Sequence, residues 1–236
     1  MERKKNIILF LLTITTLILP MDYDDFIYKA YTSNNMQLWY QKMNELANVA
    51  ESKEDYEKLV NYEYGYIAYC LSNKKYELAE TILNNAKKHL QKYIELKGDL
   101  SSYYAYEAAF YGYEIGLSKW KAPILGSKSK NAVDNAVKTN NNNYLGYIQL
   151  GNIEFYKPKI FGGSAEIALK YYLIAKNLMT NKKDWNYLNL LITIAEAYEK
   201  LGKINEAKII LNEAINIDNN FKWALEKLKK LERKNG

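Results

Sequence analysis

The sequence predicts an all-α protein, a solenoid of helical hairpins, on three observations. Ala, Leu, Ile, Lys and Glu are abundant, whereas 236 residues hold only three prolines and 11 glycines, a balance that favours helix over sheet. After Met21 the apolar residues recur at helical spacing in runs of about 12 to 20 residues with short polar breaks, and no stretch alternates as a strand would. Finally, pairs of small residues around a larger one return at fixed intervals, as internal repeats do.

The chain opens "MERKKNIILFLLTITTLILPM", a basic start followed by an apolar run from Ile7 to Leu19. A bilayer span takes about 20 residues, so this run suits the core of an export signal better. Residues 1–21 are expected to be a signal peptide or a short anchor; small residues at a cleavage site are missing, and both forms stay open. No cysteine follows the run, which argues against a lipid anchor. The expected address is periplasmic, with membrane contact only through this segment if it is kept.

Residues 22–55 read as an N-terminal helical segment, with Ser33 or Asn34 as N-cap of its longer helix. A helical-repeat domain is expected over 56–236. Its first hairpin, 56–96, contains "YIAYCLSNKKYELAETILNNA", with Ala79, Leu83 and Ala86 on one helix face. The second and third, 101–139 and 143–180, look like copies of each other. Gly116 precedes Pro123 by the interval that separates Gly151 from Pro158, and "ILG" at Ile124–Gly126 matches "IFG" at Ile160–Gly162. Ala132 and Ala168 follow at equal distances. Both prolines are expected to stop the helix before them, leaving enlarged connections that contain Gly126 in one and Gly162 and Gly163 in the other.

The fourth hairpin, 186–217, is the clearest. In "IAEAYEKLGKINEAKIILNEAINID", Gly202 breaks the chain after Leu201, and Ala207, Leu211 and Ala214 then share one face. Cys70 holds in the first hairpin the place of Tyr198 here, so it is expected to be a buried, unreactive thiol. A final amphipathic helix, Phe221 to Arg233, is expected to cap the array. This pattern resembles the tetratricopeptide repeat, whose small residues let two antiparallel helices approach; Asn219 replaces the usual proline after the second helix. The resemblance implies a right-handed α-solenoid of about four hairpins and a protein-binding role. The "P-x-x-F-G-G-S" run at Pro158–Ser164 resembles that of small exported bacterial tetratricopeptide proteins. A looser likeness is to the tetratricopeptide-like component of some tripartite solute transporters.

Several chemistries lack their equipment. His89 and Cys70 are the sole residues of their kinds, which excludes the common zinc and transition-metal sets and any internal disulfide. Catalysis by a Ser-His-Asp triad would hang on His89 in a lysine-rich helix. The net charge of +6 is spread among Glu-interleaved lysines, unlike the dense arginine-rich stripe of a nucleic-acid binder. No cofactor, metal or catalytic residue is expected. Gly162, Gly163 and Ser164 could form a phosphate-cradling nest at a helix start, but the single glycine of the matching loop favours a structural turn.

The expected binding surface is the concave face lined by the first helix of each hairpin. Aligning the hairpins on Ile67, Gly116, Gly151 and Ala195 places there Asn61, Tyr64, Tyr113, Trp120, Asn152, Tyr156, Asn189, Glu196, Glu199 and Lys200. Rings beside amides suit an extended peptide or a sugar; Tyr64, Tyr113 and Trp120 could equally pack between hairpins. Some tetratricopeptide domains grip a terminal carboxylate with a Lys four residues before an Asn. Ile148 stands in that place before Asn152, so the clamp is expected to be missing. The function expected is a non-enzymatic scaffold for protein or peptide binding in the cell envelope. The alternative is a small-molecule-binding transporter accessory, with a closed pocket lined by Ile124, Leu125, Ile160 and Phe161.

Overall fold

A computed structural model describes residues 22–233; the expected export segment, 1–21, lies outside the described residues. Those residues form eleven α-helices: α1 (Tyr23–Thr32), α2 (Met36–Val49), α3 (Lys53–Ser72), α4 (Tyr76–Glu95), α5 (Leu100–Leu117), α6 (Ala122–Thr139), α7 (Tyr144–Tyr156), α8 (Ala165–Leu178), α9 (Trp185–Lys200), α10 (Ile204–Ile217) and α11 (Lys222–Arg233). Successive pairs fold back as hairpins and stack, giving the all-α, tetratricopeptide-like solenoid expected. The N-terminal segment is itself a hairpin, α1 against α2.

Local chemistry sets the helix ends. The Ser52 hydroxyl accepts from the Asp55 amide, and the Asp55 carboxylate accepts from the Ser52 amide, so two orphan donors at the start of α3 are satisfied. Asp99, Asn143, Ser164 and Asp184 cap α5, α7, α8 and α9 with their side chains. The cap of α2 is neither Ser33 nor Asn34 but Asn35, whose Oδ1 accepts from the Leu38 amide at 3.1 Å. The reason is the tight turn, which needs one left-handed residue; Asn34 takes that place with φ 55°. The same turn returns after α3 and α9. The Lys75 amide donates to the Cys70 carbonyl and the Lys203 amide to the Tyr198 carbonyl, each at 2.9 Å. Cys70 and Tyr198 are thus equivalent positions.

The small residues read from the sequence lie at the hairpin contacts. Ala79, Leu83, Ala86, Ala207, Leu211 and Ala214 are buried, as are Ala132 and Ala168. Cys70 is fully buried, and burial pushes its thiol up to about 11.

The two matched connections are not copies in space. Pro158 ends α7 as expected, with Lys157 before it extended at ψ 129°. Pro123 does not end α5, which stops at Leu117; it sits in the first turn of α6. Proline fits there because its missing N–H would have no helical partner anyway. Ile124, Leu125 and Gly126 are therefore helical, and only a single 3-10 turn, Lys119–Lys121, joins α5 to α6.

In an open solenoid each hairpin touches only its neighbours. Here the first two hairpins also reach the last. The Tyr31 ring of α1 lies 5.8 Å from Trp185, 5.2 Å from Phe221 and 5.0 Å from Trp223. Trp39 of α2 meets Trp185 edge-on at 4.9 Å. Gly65 on α3 makes room for this approach, since a Cβ there would stand 2.5 Å from the Trp185 ring and 2.8 Å from that of Trp39. The curved array closes on itself through a plug of aromatic rings.

Candidate functional site

Half of the expected concave residues meet inside this closure. Asn61 Oδ1 accepts from the Trp185 indole at 2.9 Å and from Asn186 Nδ2 at 3.1 Å, while its own Nδ2 donates to the Tyr106 hydroxyl at 2.9 Å. The Tyr31 hydroxyl donates to Asn189 Oδ1 at 3.0 Å. Tyr64 and Tyr113 stack with centroids 5.7 Å apart, and the Tyr113 hydroxyl donates to the Tyr64 carbonyl at 3.0 Å. Gln149 Nε2 donates to the Tyr64 hydroxyl at 3.2 Å. Asn152 donates to Gln149 and accepts from Tyr172, both at 2.9 Å. Burial holds the phenols of Tyr31, Tyr106 and Tyr113 well above their ordinary range, as expected of neutral hydroxyls in a dry network.

Asn61, Tyr64, Tyr113, Asn152 and Asn189 therefore face inward, where they bond the scaffold's own groups. Glu196 and Glu199 face the capping helix: Lys227 of α11 lies 2.9 Å from the first and 3.6 Å from the second. Lys200 donates to the Phe155 carbonyl at 2.7 Å and stands 4.3 Å above that ring, joining the C-terminal ends of α7 and α9. Trp120 stands outside the concavity, on the short α5–α6 turn, with its ring 76% exposed.

Tyr156 is different. Its ring is 71% exposed, yet the surrounding protein, Glu196 and Tyr64 push its phenol up to about 12. Tyr156 and the half-buried Asn152 are the part of the expected groove nearest the α7–α8 connection.

Alignment on small residues missed Tyr31, Tyr106, Gln149, Trp185 and Asn186. A signal existed for two of them: Tyr106 and Trp185 each lie ten residues before the aligned positions Gly116 and Ala195. The other three recur at no register. Tyr31, above all, comes from a hairpin outside the alignment.

The glycine loop binds its own chain. The amides of Phe161, Gly162, Gly163 and Ser164 donate to the carbonyls of Pro158, Lys159, Pro158 and Glu154 at 2.9 to 3.2 Å. Gly162 is left-handed at φ 84°, and a Cβ on Gly163 would overlap the Lys157 carbonyl oxygen. These amides are spent, so the phosphate nest does not form and the structural turn is what the glycines make. The loop side chains also fail to enclose a pocket: Ile124, Ile160 and Phe161 are 64%, 85% and 71% exposed.

His89 is partly buried, with Nδ1 2.8 Å from Glu63 Oε1. Glu63 is almost fully buried on α3, and its Oε2 has no hydrogen-bond partner. Burial raises its carboxyl above the usual range, against the His89 bond, which lowers it.

No family model and no curated protein matches the sequence. Among solved structures the chain is similar to the HusA haemophore from Porphyromonas gingivalis, at TM-score 0.59 and 14% identity, covering 75% of this chain and 94% of that one. It is also similar to a chain of the APC/C hetero-tetramer Cut9–Hcn1, at TM-score 0.50 and 12% identity. That match covers 90% of this chain and 41% of the other. At such identities the likeness shows the fold, a helical-repeat scaffold.

Proposed function

We propose that this chain is an exported, non-enzymatic scaffold of the cell envelope that holds a protein or peptide partner on its concave wall. Tyr156 carries the reading: most of the concave face is bonded to itself, and this one large ring is left open. A ring there covers an apolar side chain of an extended peptide, while Asn152 behind it is held by Gln149 and Tyr172. Export rests on the basic and apolar pattern of residues 1–21.

The test is capture from envelope extract with wild type and Tyr156→Ala. The substitution removes an exposed side chain, so stability should change by less than about 0.5 kcal/mol. Loss of a specific partner at unchanged melting temperature supports the proposal. Identical partner sets from both proteins refute it.

A second reading is a carrier of a small apolar ligand. The open Tyr156 ring also suits a flat molecule, and a haemophore shares the fold, although fold alone assigns no ligand. Titration with haemin separates the two: saturable binding that Tyr156→Ala abolishes favours the carrier, and absence of binding removes it.

A further inference from the structure

The exposed apolar side chains are unevenly placed. Val49, Tyr76, Leu100 and Ile209 stand singly, as is normal on a surface. Trp120 on the α5–α6 turn, Ile124 in the first turn of α6, and Ile160 and Phe161 in the α7–α8 connection instead gather at helix ends on one edge of the array. First helices of stacked hairpins run parallel, so the C-terminal ends of α5, α7 and α9 share that edge. Two observations confirm the proximity. Lys200 near the end of α9 bonds the Phe155 carbonyl near the end of α7, and α5 packs directly against α7.

Lysines interleave these apolar tips. From Ser118 to Val133 the chain carries Lys119, Lys121, Lys128 and Lys130 and no acidic residue; from Phe155 to Ala165 it carries Lys157 and Lys159, again with none. Helical carboxylates behind the edge take some of them: Lys121 lies 3.7 Å from Glu114, Lys157 2.8 Å from Glu154 and Lys130 2.5 Å from Asp134. Lys119 and Lys159 form no ion pair within 4.0 Å and are adjacent in sequence to Trp120 and Ile160.

We infer that this edge docks on an anionic membrane surface, with Trp120, Ile124, Ile160 and Phe161 entering the headgroup region and Lys119 and Lys159 meeting lipid phosphates. Three features point to lipid. Trp120, Ile160 and Phe161 project from short inter-helix turns and Ile124 from the first turn of α6, each largely exposed. Trp and Phe beside lysine is the composition that settles at a membrane interface. Lysines outnumber carboxylates at these tips, the exposed Glu166 beside Lys159 being the exception, and the net positive charge matches an anionic leaflet.

The full chain, N-terminal segment included, is mixed with vesicles of phosphatidylcholine alone or containing phosphatidylglycerol, with bromine on the acyl chains. Sedimentation alone is uninformative, because residues 1–21 could bind any bilayer, so the readout is local to Trp120. Trp39 and Trp185 are buried and Trp223 half-buried, leaving Trp120 as the exposed indole. On anionic vesicles its emission should shift to the blue and be quenched by bromine, and Trp120→Phe should lose that component. Lys119→Glu with Lys159→Glu should weaken the effect at least about tenfold, and neutral vesicles should show little of it. An indole that stays open to aqueous iodide and untouched by bromine while the chain sediments overturns the inference. Equal quenching on both vesicle types overturns it also. A blue shift that grows with protein concentration without vesicles would assign the edge to a second copy of the chain instead.

Discussion

Replacing Asn61 by alanine tests whether the array is closed by design of its interior. Asn61 bonds three side chains from two distant helices, those of Tyr106, Trp185 and Asn186. Asn186 keeps Asp184 as a partner at 3.1 Å, so the substitution strands two groups, the Trp185 indole N–H and the Tyr106 hydroxyl. Both residues are buried, at 5% and 3% exposure. A buried polar group left without its partner costs about 1–3 kcal/mol, so the total comes to about 3 kcal/mol. For a chain of this size that corresponds to a fall in melting temperature of roughly 6–12 °C. Thermal unfolding followed by far-ultraviolet circular dichroism measures it. An open solenoid would keep only the bond to Tyr106 on the neighbouring α5 and would lose about half as much. A shift no larger than half the expected one would therefore refute the closure argument.

Gly163→Val should destabilise the fold by about 2 kcal/mol or more, because the new side chain collides with the Lys157 carbonyl and the backbone must move. Inorganic phosphate should leave wild-type melting unchanged, since the loop amides already have acceptors; a phosphate-dependent rise would reinstate the anion site. Glu63 predicts a pH dependence. Its folded carboxyl lies above its unfolded value through burial, so its contribution to stability is full below the unfolded pKa and is lost as pH rises through the folded one. Urea midpoints should therefore show Glu63→Gln gaining on wild type across that window, and a constant difference between the two would contradict the assignment.

Much of the solenoid was legible because a helical hairpin is specified locally. Ala79, Leu83 and Ala86 recur as Ala207, Leu211 and Ala214 because the same inter-helix contact recurs, and periodicity along the chain records it directly. Gly202 and the side-chain caps are likewise choices of one or two residues. Pro123 shows where local reading fails. Its neighbours follow the pattern of those around Pro158, a ring three residues before and an apolar pair with glycine after, yet proline is compatible both with the end of one helix and with the start of the next. Packing of α6 on α5 selected the second. The concave residues divide the same way: alignment placed Asn61, Tyr64, Tyr113, Asn152 and Asn189 on the inner face, without the partners Tyr31, Tyr106, Gln149, Trp185 and Asn186.

What the sequence determined by itself was the repeating unit: the helical hairpin, its small-residue contacts, the turn at Gly202 and a buried Cys70. Tertiary structure alone decided that the array closes, that Glu196 and Glu199 face α11, and that the loop side chains stand in solvent. The physical reason is range. A hairpin is fixed by residues a few turns apart, whereas Tyr31 and Trp185 meet only after the small rotation at every stacked hairpin has accumulated around the curve.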